Sequence, residues 1–292
     1  MQTRPRHYRL LDFGHGRKLE QFGAYTLIRP EPNANGAAQL NREKWENLAH
    51  AEFIPRSGSQ QGKTRGGQWK HFKPVPDSWE VEFDVSGKAL RFQVTPSPFG
   101  HVALFPEQHD NWQFIAQQLQ KQSLPSPKIL NLFAYTGAAS IVARAFGAEV
   151  YHVDSSRPVL NQARRNMELN TLSDIRWVHE DAFKFAKREA KRRHQYSGII
   201  LDPPPAGRGR SGERWSLKDQ FDDLLQNCAQ ILSPTDSFIS LSLYATNLGL
   251  AEAEQHVALR FSKNNLVSND YLLRAQHSSA LLPQGFYIRN TR

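Results

Sequence analysis

Four residues that suit a polar ligand follow four successive apolar runs in the second half of the chain. They are Gly137, Asp154, Asp181 and Asp202. A glycine allows a tight turn in which the backbone approaches a ligand closely. A carboxylate at the tip of a second strand is placed to accept hydrogen bonds from both hydroxyls of a ribose. The spacing therefore predicts a site for a nucleotide-like cofactor.

The composition of the first loop narrows the choice of cofactor. Its sequence, FAYTGAA, has one glycine and lacks both the G-x-G-x-x-G pattern of dinucleotide sites and the lysine of a P-loop. A cofactor with ribose and adenine but without phosphate fits better, and S-adenosylmethionine has that composition. We expect Asp154 to bind the ribose hydroxyls. We expect Asp181, in the segment HEDAF, to accept a hydrogen bond from the adenine amino group, with Phe183 or a backbone group beside it flanking the ring.

The fourth apolar run ends in the proline-rich segment LDPPPAGRGR. Consecutive prolines remove backbone donors and stiffen the turn, so carbonyl groups and the Asp202 carboxylate are expected to face the occupant of the cleft. Such a turn can hold the edge of a planar base near an activated methyl group, which makes Asp202, Pro203 and Pro204 the candidate catalytic residues. Arg208 and Arg210 follow at once and are candidates for contacts with phosphates of the acceptor.

The elements that must position these residues alternate regularly from residue 128 onward. This alternation predicts an α/β fold, a doubly wound parallel sheet with helices on both faces, in which ligands bind at the carboxyl edge. The last two strands have no helix between them and are expected to pair antiparallel. Strands are predicted at 128–133, 149–154, 175–180, 198–202, 236–244, 265–274 and near 286–289, and helices at 138–146, 157–170, 182–194, 216–232 and 248–262.

The only cysteine of the chain, Cys228, lies on the apolar face of the predicted helix at 216–232. Buried cysteines are usually structural. Methylation of a pyrimidine at carbon-5 commonly needs a cysteine that adds to the ring, so this chemistry is disfavoured. The segment after the fifth strand of the sheet, ISLSLYATN, offers Ser242 and Tyr244 instead. A single cysteine also leaves no disulfide framework and no cysteine-based zinc cluster, and no metal site is predicted.

The first 105 residues are predicted to form a small β-rich domain, and residues 106–292 the larger one. Short apolar runs between glycines indicate hairpins, residues 37–51 indicate a short helix, and WEVEFDV and ALRFQVT indicate two strands with one wet face. The segment at 56–73 is rich in Gly, Ser and Lys and is expected to be a mobile loop. Trp69 and Phe72 interleave with its basic residues, which is typical either of a surface for nucleic acid or of a solvated loop with anchoring aromatics.

Charge and hydropathy bound the cellular context. The net charge is +9 and the pI about 9.7, which is compatible with a polyanionic partner and equally with an ordinary basic protein. The basic tract at 184–194 is read as a solvated helix face, with an RNA-binding patch as the alternative. No run approaches the length of a membrane span and the N-terminus lacks a signal-type apolar run, so a cytoplasmic protein is expected.

Several motifs together carry a resemblance to a known family. NLFAYTGAAS, YHVDSS, NxELN, HEDAFKF and LDPPPAGRG resemble the class I S-adenosylmethionine-dependent methyltransferases. They are more closely similar to the bacterial 23S rRNA large-subunit group, which includes cytosine-C5 and guanine-N7 enzymes. The resemblance covers about residues 90–290 and implies a Rossmann-like, seven-stranded methyltransferase sheet. In the family a D-Q-R turn contacts the methionine end of the cofactor. Here this turn is replaced by Pro106-Glu107-Gln108-His109, in which Gln108 matches and His109 replaces the arginine.

The motifs and the resemblance lead to one main hypothesis, an RNA methyltransferase that acts on a base, at nitrogen rather than at carbon-5, in ribosomal RNA. One alternative keeps the cofactor and changes the acceptor to a protein or a small molecule. Another is a nucleic-acid-binding module with a degenerate cofactor site. The candidate cofactor-binding residues are Gln108, Phe133, Tyr135, Thr136, Gly137, Asp154, Ser155, Asp181, Ala182 and Asp202.

Overall fold

The computed structural model describes residues 8–56, 66–209, 212–244, 248–261, 263–277 and 279–292. Contacts divide the chain into two units. The first comprises Met1–His109 and Leu272–Gln284, and the second comprises Asp110–Tyr271 and Gly285–Arg292. The two-domain division at residue 105 stays a prediction, and the inclusion of Leu272–Gln284 in the first unit has no counterpart in the sequence pattern.

The first unit is β-rich, as predicted. Its main sheet has five strands in chain order, β1 (Tyr8–Gly14), β2 (Arg17–Phe22), β3 (Tyr25–Pro30), β4 (Ala51–Pro55) and β5 (Gly67–His71), while β6 (Trp79–Val85) and β7 (Lys88–Val94) form a separate antiparallel pair. In β6 the side chains of Val81, Phe83 and Val85 are buried and alternate with more accessible ones, which confirms the predicted wet face.

Two sequence predictions for this unit need correction. The helix predicted at 37–51 is shorter: α1 spans Arg42–Leu48 and begins after Asn41, whose side chain accepts from Lys44 N–H and so caps the helix. The loop predicted at 56–73 contains β5, because Gly67–His71 pairs antiparallel with β4. Residues 57–65 of that predicted loop lie outside the described part of the chain.

The second unit contains the predicted α/β alternation. Its helices are α2 (His109–Lys121), α3 (Ala138–Ala145), α4 (Arg157–Leu169), α5 (Ala182–Arg192), α6 (Leu217–Ile231) and α7 (Leu250–Arg260). The strands that follow in the chain are β8 (Lys128–Leu132), β9 (Glu149–Asp154), β10 (Ile175–His179), β11 (Gly198–Leu201), β12 (Ala206–Arg208), β13 (Arg214–Ser216), β14 (Phe238–Leu243), β15 (Leu266–Arg274) and β16 (Leu281–Thr291). Single 3-10 turns occur at Pro106–Gln108 and Lys263–Asn265.

Seven of these strands form one sheet in the order β10-β9-β8-β11-β14-β16-β15. The first five strands in this order, β10, β9, β8, β11 and β14, run parallel, and β16 pairs antiparallel with β14. The predicted strand near 286–289 is too short, because β16 begins at Leu281. Pro283 and Gly285 interrupt the β pattern in the sequence and conceal its first half. The short pair β12–β13 was not predicted.

The core of the second unit confirms the predicted face of α6. Leu217, Phe221, Leu224, Leu225, Cys228, Ile231 and Leu232 are buried in one hydrophobic cluster. This cluster also contains strand residues such as Leu130, Leu201 and Leu241, so apolar side chains cover the central strands. The carboxyl ends of these strands are therefore the part of the sheet where a ligand site can form. Within the described ranges, no helix combines the length and hydropathy of a membrane span.

Candidate functional site

The sheet places the four predicted positions side by side. Asp181, Asp154, Gly137 and Asp202 follow the carboxyl ends of β10, β9, β8 and β11, which are consecutive neighbours in the sheet. The strands run parallel, so all four ends lie along one edge. The prediction that these residues meet at one edge is therefore confirmed. Neighbouring strands of a sheet lie about 4.8 Å apart in the hydrogen-bonding direction.

The loop after β8 adopts an unusual backbone. Phe133, Tyr135 and Gly137 all have positive φ angles, of 56°, 50° and 84°. A side chain in this left-handed region costs about 1–2 kcal/mol per residue, so the surroundings must hold the loop in place. The carbonyl of Thr136 accepts a 2.9 Å hydrogen bond from the buried Asn166 side chain. Strain of this kind is typical of functional loops.

The sequence suggests that Gly137 lets the backbone approach a ligand, whereas the structure shows protein atoms packed beside it. Its φ angle favours glycine, but the space beside it is filled by protein atoms. A Cβ at this position would lie 3.1 Å from Cβ of Ala163 and 3.2 Å from Cε1 of His152. The missing side chain therefore allows α4 and β9 to pack against the loop, since both neighbours belong to these elements.

Asp154 joins this loop to the second strand. Its Oδ2 accepts from the backbone N–H of Tyr135 at 2.9 Å, and its Oδ1 accepts from the N–H of Ser156 at 2.8 Å. Burial raises the pKa of the Asp154 carboxyl above its usual value, and these backbone donors partly offset the effect. Each carboxylate oxygen has a second lone pair, so Asp154 can still accept hydrogen bonds from a ligand.

Asp181 caps a helix, which is a common structural role for an acid in front of a helix. It is the N-cap of α5, and its Oδ1 accepts from Lys184 N–H at 2.9 Å. The carboxylate is nevertheless at the cleft: Oδ2 lies 2.9 Å from the place where a Cβ on Gly209 would stand. Capping engages one oxygen of Asp181, and the other remains for a ligand.

These residues line a cleft whose empty space, including the part open to solvent, is about 320 Å³. Its lining residues are Phe133, Asp154, Ser155, Asp181, Ala182, Pro204, Gly207, Arg208 and Trp215. Seven of these nine were singled out from the sequence; Gly207 and Trp215 were not.

The other predicted site residues lie around the cleft or away from it. Tyr135 contributes its backbone N–H to Asp154, and Thr136 is buried. Gln108 belongs to the first unit, in the 3-10 turn Pro106–Gln108. Pro203 is buried and Asp202 half-buried. Arg210 lies outside the described residues.

The proline turn after Asp202 corrects one expectation. The sequence predicts that carbonyl groups of this turn face the ligand, but the carbonyl of Pro204 accepts a 2.7 Å hydrogen bond from Nε1 of Trp215. The carbonyl of Pro205 accepts from Leu217 N–H at 3.0 Å. Proline has no N–H, so these carbonyls have no partners within the turn and bond to β13 and the start of α6 instead.

A buried polar network supports the first loop and was missed in the sequence. Nδ2 of Asn131 donates to Oγ of Ser140 at 2.9 Å, and this oxygen lies 2.9 Å from Nδ1 of His152. All three residues are nearly inaccessible. Burial lowers the pKa of His152 to about 3, so the ring is neutral. The available signal in the sequence was a polar residue within each of two apolar strands, Asn131 in β8 and His152 in β9.

Two basic segments favour the structural alternatives. In the tract at 184–194, Lys184 pairs with Glu213, Arg188 with Glu180, and both Arg192 and His194 with Glu189. Near the N-terminal basic segment, Nε1 of Trp69 donates to the carbonyl of Ser97 at 2.9 Å and its ring packs on Phe53, while Phe72 packs against a hydrophobic cluster. These aromatics are anchors, and ion pairs with Glu180, Glu189 and Glu213 engage four basic residues of the tract.

Cys228 is confirmed as a core residue. It is fully buried, and burial raises the pKa of its thiol well above the usual value. Ser242, at the end of β14, is also buried, and its Oγ lies 3.0 Å from Nδ2 of Asn111 and 2.8 Å from the Tyr271 hydroxyl. Neither residue offers a free nucleophile at the cleft.

The hydrogen-bond acceptors of the cleft fit the adenosine part of S-adenosylmethionine. Two carboxylates, Asp154 and Asp181, suit the hydroxyls of a ribose and the amino group of adenine, which are donors. Phe133, Ala182 and Trp215 add apolar surface for a planar ring.

Comparisons with known proteins agree with this site. Residues 68–247, more than half of the chain, match the model of the S-adenosylmethionine-dependent methyltransferase family. The crystal structure of a SAM-dependent methyltransferase from Agrobacterium tumefaciens is 32% identical, with a TM-score of 0.89 over 98% of this chain and 91% of that one. This similarity extends over both units.

Curated relatives are longer proteins. A ribosomal RNA large subunit methyltransferase K/L from Hahella chejuensis is 30% identical over 80% of this chain and 29% of its own length. A ribosomal RNA large subunit methyltransferase I from Aeromonas salmonicida is 29% identical over 49% of this chain and 36% of its own length. The chain thus spans about a third of the length of these relatives. From the family match, the similar crystal structure and the geometry of the cleft, we conclude that the chain belongs to the S-adenosylmethionine-dependent methyltransferase family.

Proposed function

We propose that this protein transfers the methyl group of S-adenosylmethionine to a base of ribosomal RNA, at nitrogen rather than at carbon-5. The observation that carries the proposal is the cleft at the carboxyl edge of the sheet, where Asp154 and Asp181 stand beside the Asp202 turn. The names of the curated relatives and the net charge of +9 support an RNA acceptor.

The cofactor side of the proposal assigns roles to five of the lining residues. Asp154 accepts hydrogen bonds from the ribose hydroxyls, and Asp181 accepts one from the adenine amino group. Phe133, Ser155 and Ala182 form the walls around the adenosine. The remaining proposed contacts come from the backbone of the first loop, at Tyr135, Thr136 and Gly137, and from Gln108 at the methionine end.

The acceptor side of the proposal uses the rigid turn. The bound cofactor supplies a methyl group on a positively charged sulfur. A ring nitrogen or an exocyclic amine can take up this methyl group without a protein nucleophile, provided that it is held in line. We assign the positioning of the base edge to the turn at Asp202, Pro203 and Pro204, and the binding of neighbouring phosphates to Arg208 and Arg210.

The choice of nitrogen over carbon-5 follows from the cysteine. The chain has one cysteine, and Cys228 lies on the buried face of α6, in the core. Its raised pKa and complete burial leave no thiolate to add to a pyrimidine ring. The proposal also extends to location: methylation of ribosomal RNA takes place in the cytoplasm.

The proposal is tested with purified protein, S-adenosylmethionine labelled in the methyl group, and total RNA from a strain that lacks the gene. Label is expected in ribosomal RNA, and nucleoside mass spectrometry of this RNA then identifies the modified base. A variant with Asp154→Ala is the control for transfer that depends on the cleft. Label only in protein, or a labelled C5-methylpyrimidine, would overturn the corresponding part of the proposal.

A further inference from the structure

Trp215 is a large aromatic residue that lines the cleft. It lies in β13, directly opposite Gly207 of β12 in the antiparallel pair. A Cβ at Gly207 would stand 3.7 Å from Cδ1 of Trp215, an ordinary van der Waals distance, so the indole packs over this position of β12. The side chain is almost completely buried, yet the residue lines the cleft.

The indole belongs to an aromatic group at the cleft. Its ring centroid lies 4.9 Å from that of Phe133 and 6.0 Å from that of Phe183, with the planes tilted by 48° and 49°. Phe133 follows β8 and Phe183 is in the first turn of α5. The hairpin β12–β13 thus places a third aromatic ring against Phe133, in the loop after β8, and against Phe183, in the helix that Asp181 caps.

The polar edge of the same indole bonds to the proline turn. Nε1 donates to the carbonyl of Pro204 at 2.7 Å. The three proline rings at 203–205 fix their own φ angles, and a residue before proline is restricted in ψ as well. Trp215 Nε1–H donates to the Pro204 carbonyl, and Leu217 N–H donates to the next carbonyl, that of Pro205. These two hydrogen bonds therefore orient the peptide groups that the proline rings leave adjustable.

We propose that Trp215 is a positioning residue with two separable parts: its ring forms the wall against which the adenine of the cofactor packs, and its Nε1–H holds the Asp202–Pro205 turn in register with the cofactor. The inference rests on the proposed assignment of the cleft to the adenosine part of S-adenosylmethionine. One residue thereby links the cofactor side of the site to the acceptor side.

Two substitutions separate the parts. Trp215→Phe keeps an aromatic ring and removes the donor, so the Kd for S-adenosylhomocysteine is expected to change by less than about threefold. The transfer rate is expected to fall about tenfold or more, because a small misplacement of reacting groups is costly. Trp215→Leu removes the aromatic ring, and the Kd is expected to rise about tenfold or more, as for loss of a base–aromatic stack.

Trp79→Phe is the matched control. Nε1 of Trp79 donates to the Phe22 carbonyl at 2.9 Å, so this variant loses a hydrogen bond of the same kind from a tryptophan that does not line the cleft. Both the Kd and the rate of this variant should match those of the wild type. Amide exchange at Leu217, expected to be faster in Trp215→Phe, reports the state of the turn independently of any acceptor.

The labelled wild-type protein gives a test in which no variant has to bind S-adenosylhomocysteine. Its six tryptophans are labelled with 5-fluorotryptophan, and the resonances of Trp215 and Trp79 are assigned from the Phe variants. S-adenosylhomocysteine is expected to shift the ¹⁹F resonance of Trp215 and to leave that of Trp79 in place.

The outcomes distinguish this inference from the proposed function. Absence of S-adenosylhomocysteine binding to the wild type would overturn both. Binding without a shift at Trp215, or Trp215→Leu with wild-type affinity, would overturn the role of the ring alone. Trp215→Phe with wild-type rate and unchanged exchange at Leu217 would overturn the role of the donor.

Discussion

The backbone N–H of Tyr135 donates a 2.9 Å hydrogen bond to Oδ2 of Asp154. This bond joins two segments that the sequence presents separately, the loop after β8 and the tip of β9. Tyr135 has a φ angle of 50°, so the bond helps to hold a strained residue. The acid that we assign to the cofactor is thus also a support for the loop beside it.

The packing around Gly137 predicts that its replacement is costlier than that of another left-handed glycine. Gly147 has a φ angle of 91° and no atoms within 4 Å of a Cβ position, so Gly147→Ala should cost only the conformational term, about 1–2 kcal/mol. Gly137→Ala should cost about 1–3 kcal/mol more because of crowding by Ala163 and His152. Urea unfolding of both variants measures the difference, and equal losses would contradict it.

The buried imidazole of His152 predicts a pH dependence of stability. Burial lowers its pKa from 6.5 to about 3. Below pH 6.5 the unfolded chain binds a proton that the folded protein excludes, so folding loses stability as the pH falls. At pH 5 the loss should be about 2 kcal/mol relative to pH 7. Unfolding in urea at both pH values should show this loss in the wild type and a smaller one in His152→Asn; identical losses would refute the assignment.

Much of this arrangement could be predicted from the sequence because it depends on local patterns. Apolar runs followed by Asp154, Asp181 and Asp202 indicate strand ends, and parallel strands must bring those ends to one edge. The apolar face of α6 is likewise readable from helical spacing. These predictions needed only the chain's periodicity and the rule that governs parallel sheets.

The missed features depend on partners that are distant in the chain. The need for a glycine at 137 comes from His152 and Ala163, and the sequence does not show that they touch it. Trp215 lies in a three-residue strand, which is too short to display an alternating pattern. Its partner, the Pro204 carbonyl, is a backbone group and leaves no trace in residue type.

The thiol of Cys228 should be inert and dispensable for transfer. Burial raises its pKa, so a thiol reagent should not label the folded protein and should label it in urea. Cys228→Ala should retain methyl transfer to within about threefold, apart from a loss of stability of about 1 kcal/mol from the smaller side chain. Loss of transfer with intact S-adenosylhomocysteine binding would instead indicate covalent catalysis by this cysteine.

Two exposed arginines next to the cleft should contribute to RNA affinity through charge. Arg208 and Arg214 stand opposite each other in the pair β12–β13. Each single alanine variant should weaken RNA binding and reduce the slope of log K against log salt by about 1. Arg176→Ala is the control, because Arg176 is exposed but already pairs with Glu149 at 2.7 Å. Salt titrations with unchanged slopes at 208 and 214 would remove both from the RNA surface.

The most direct test of the central claim is calorimetric titration of S-adenosylhomocysteine into the wild type, Asp154→Ala and Asp174→Ala. Asp174 is an exposed acid outside the cleft and serves as the control. The wild type and Asp174→Ala should bind one equivalent with similar affinity. Asp154→Ala should bind about tenfold more weakly or worse, the loss expected for a hydrogen bond to a charged group. No binding to the wild type, or equal binding to all three proteins, would contradict the assignment of this cleft to the cofactor.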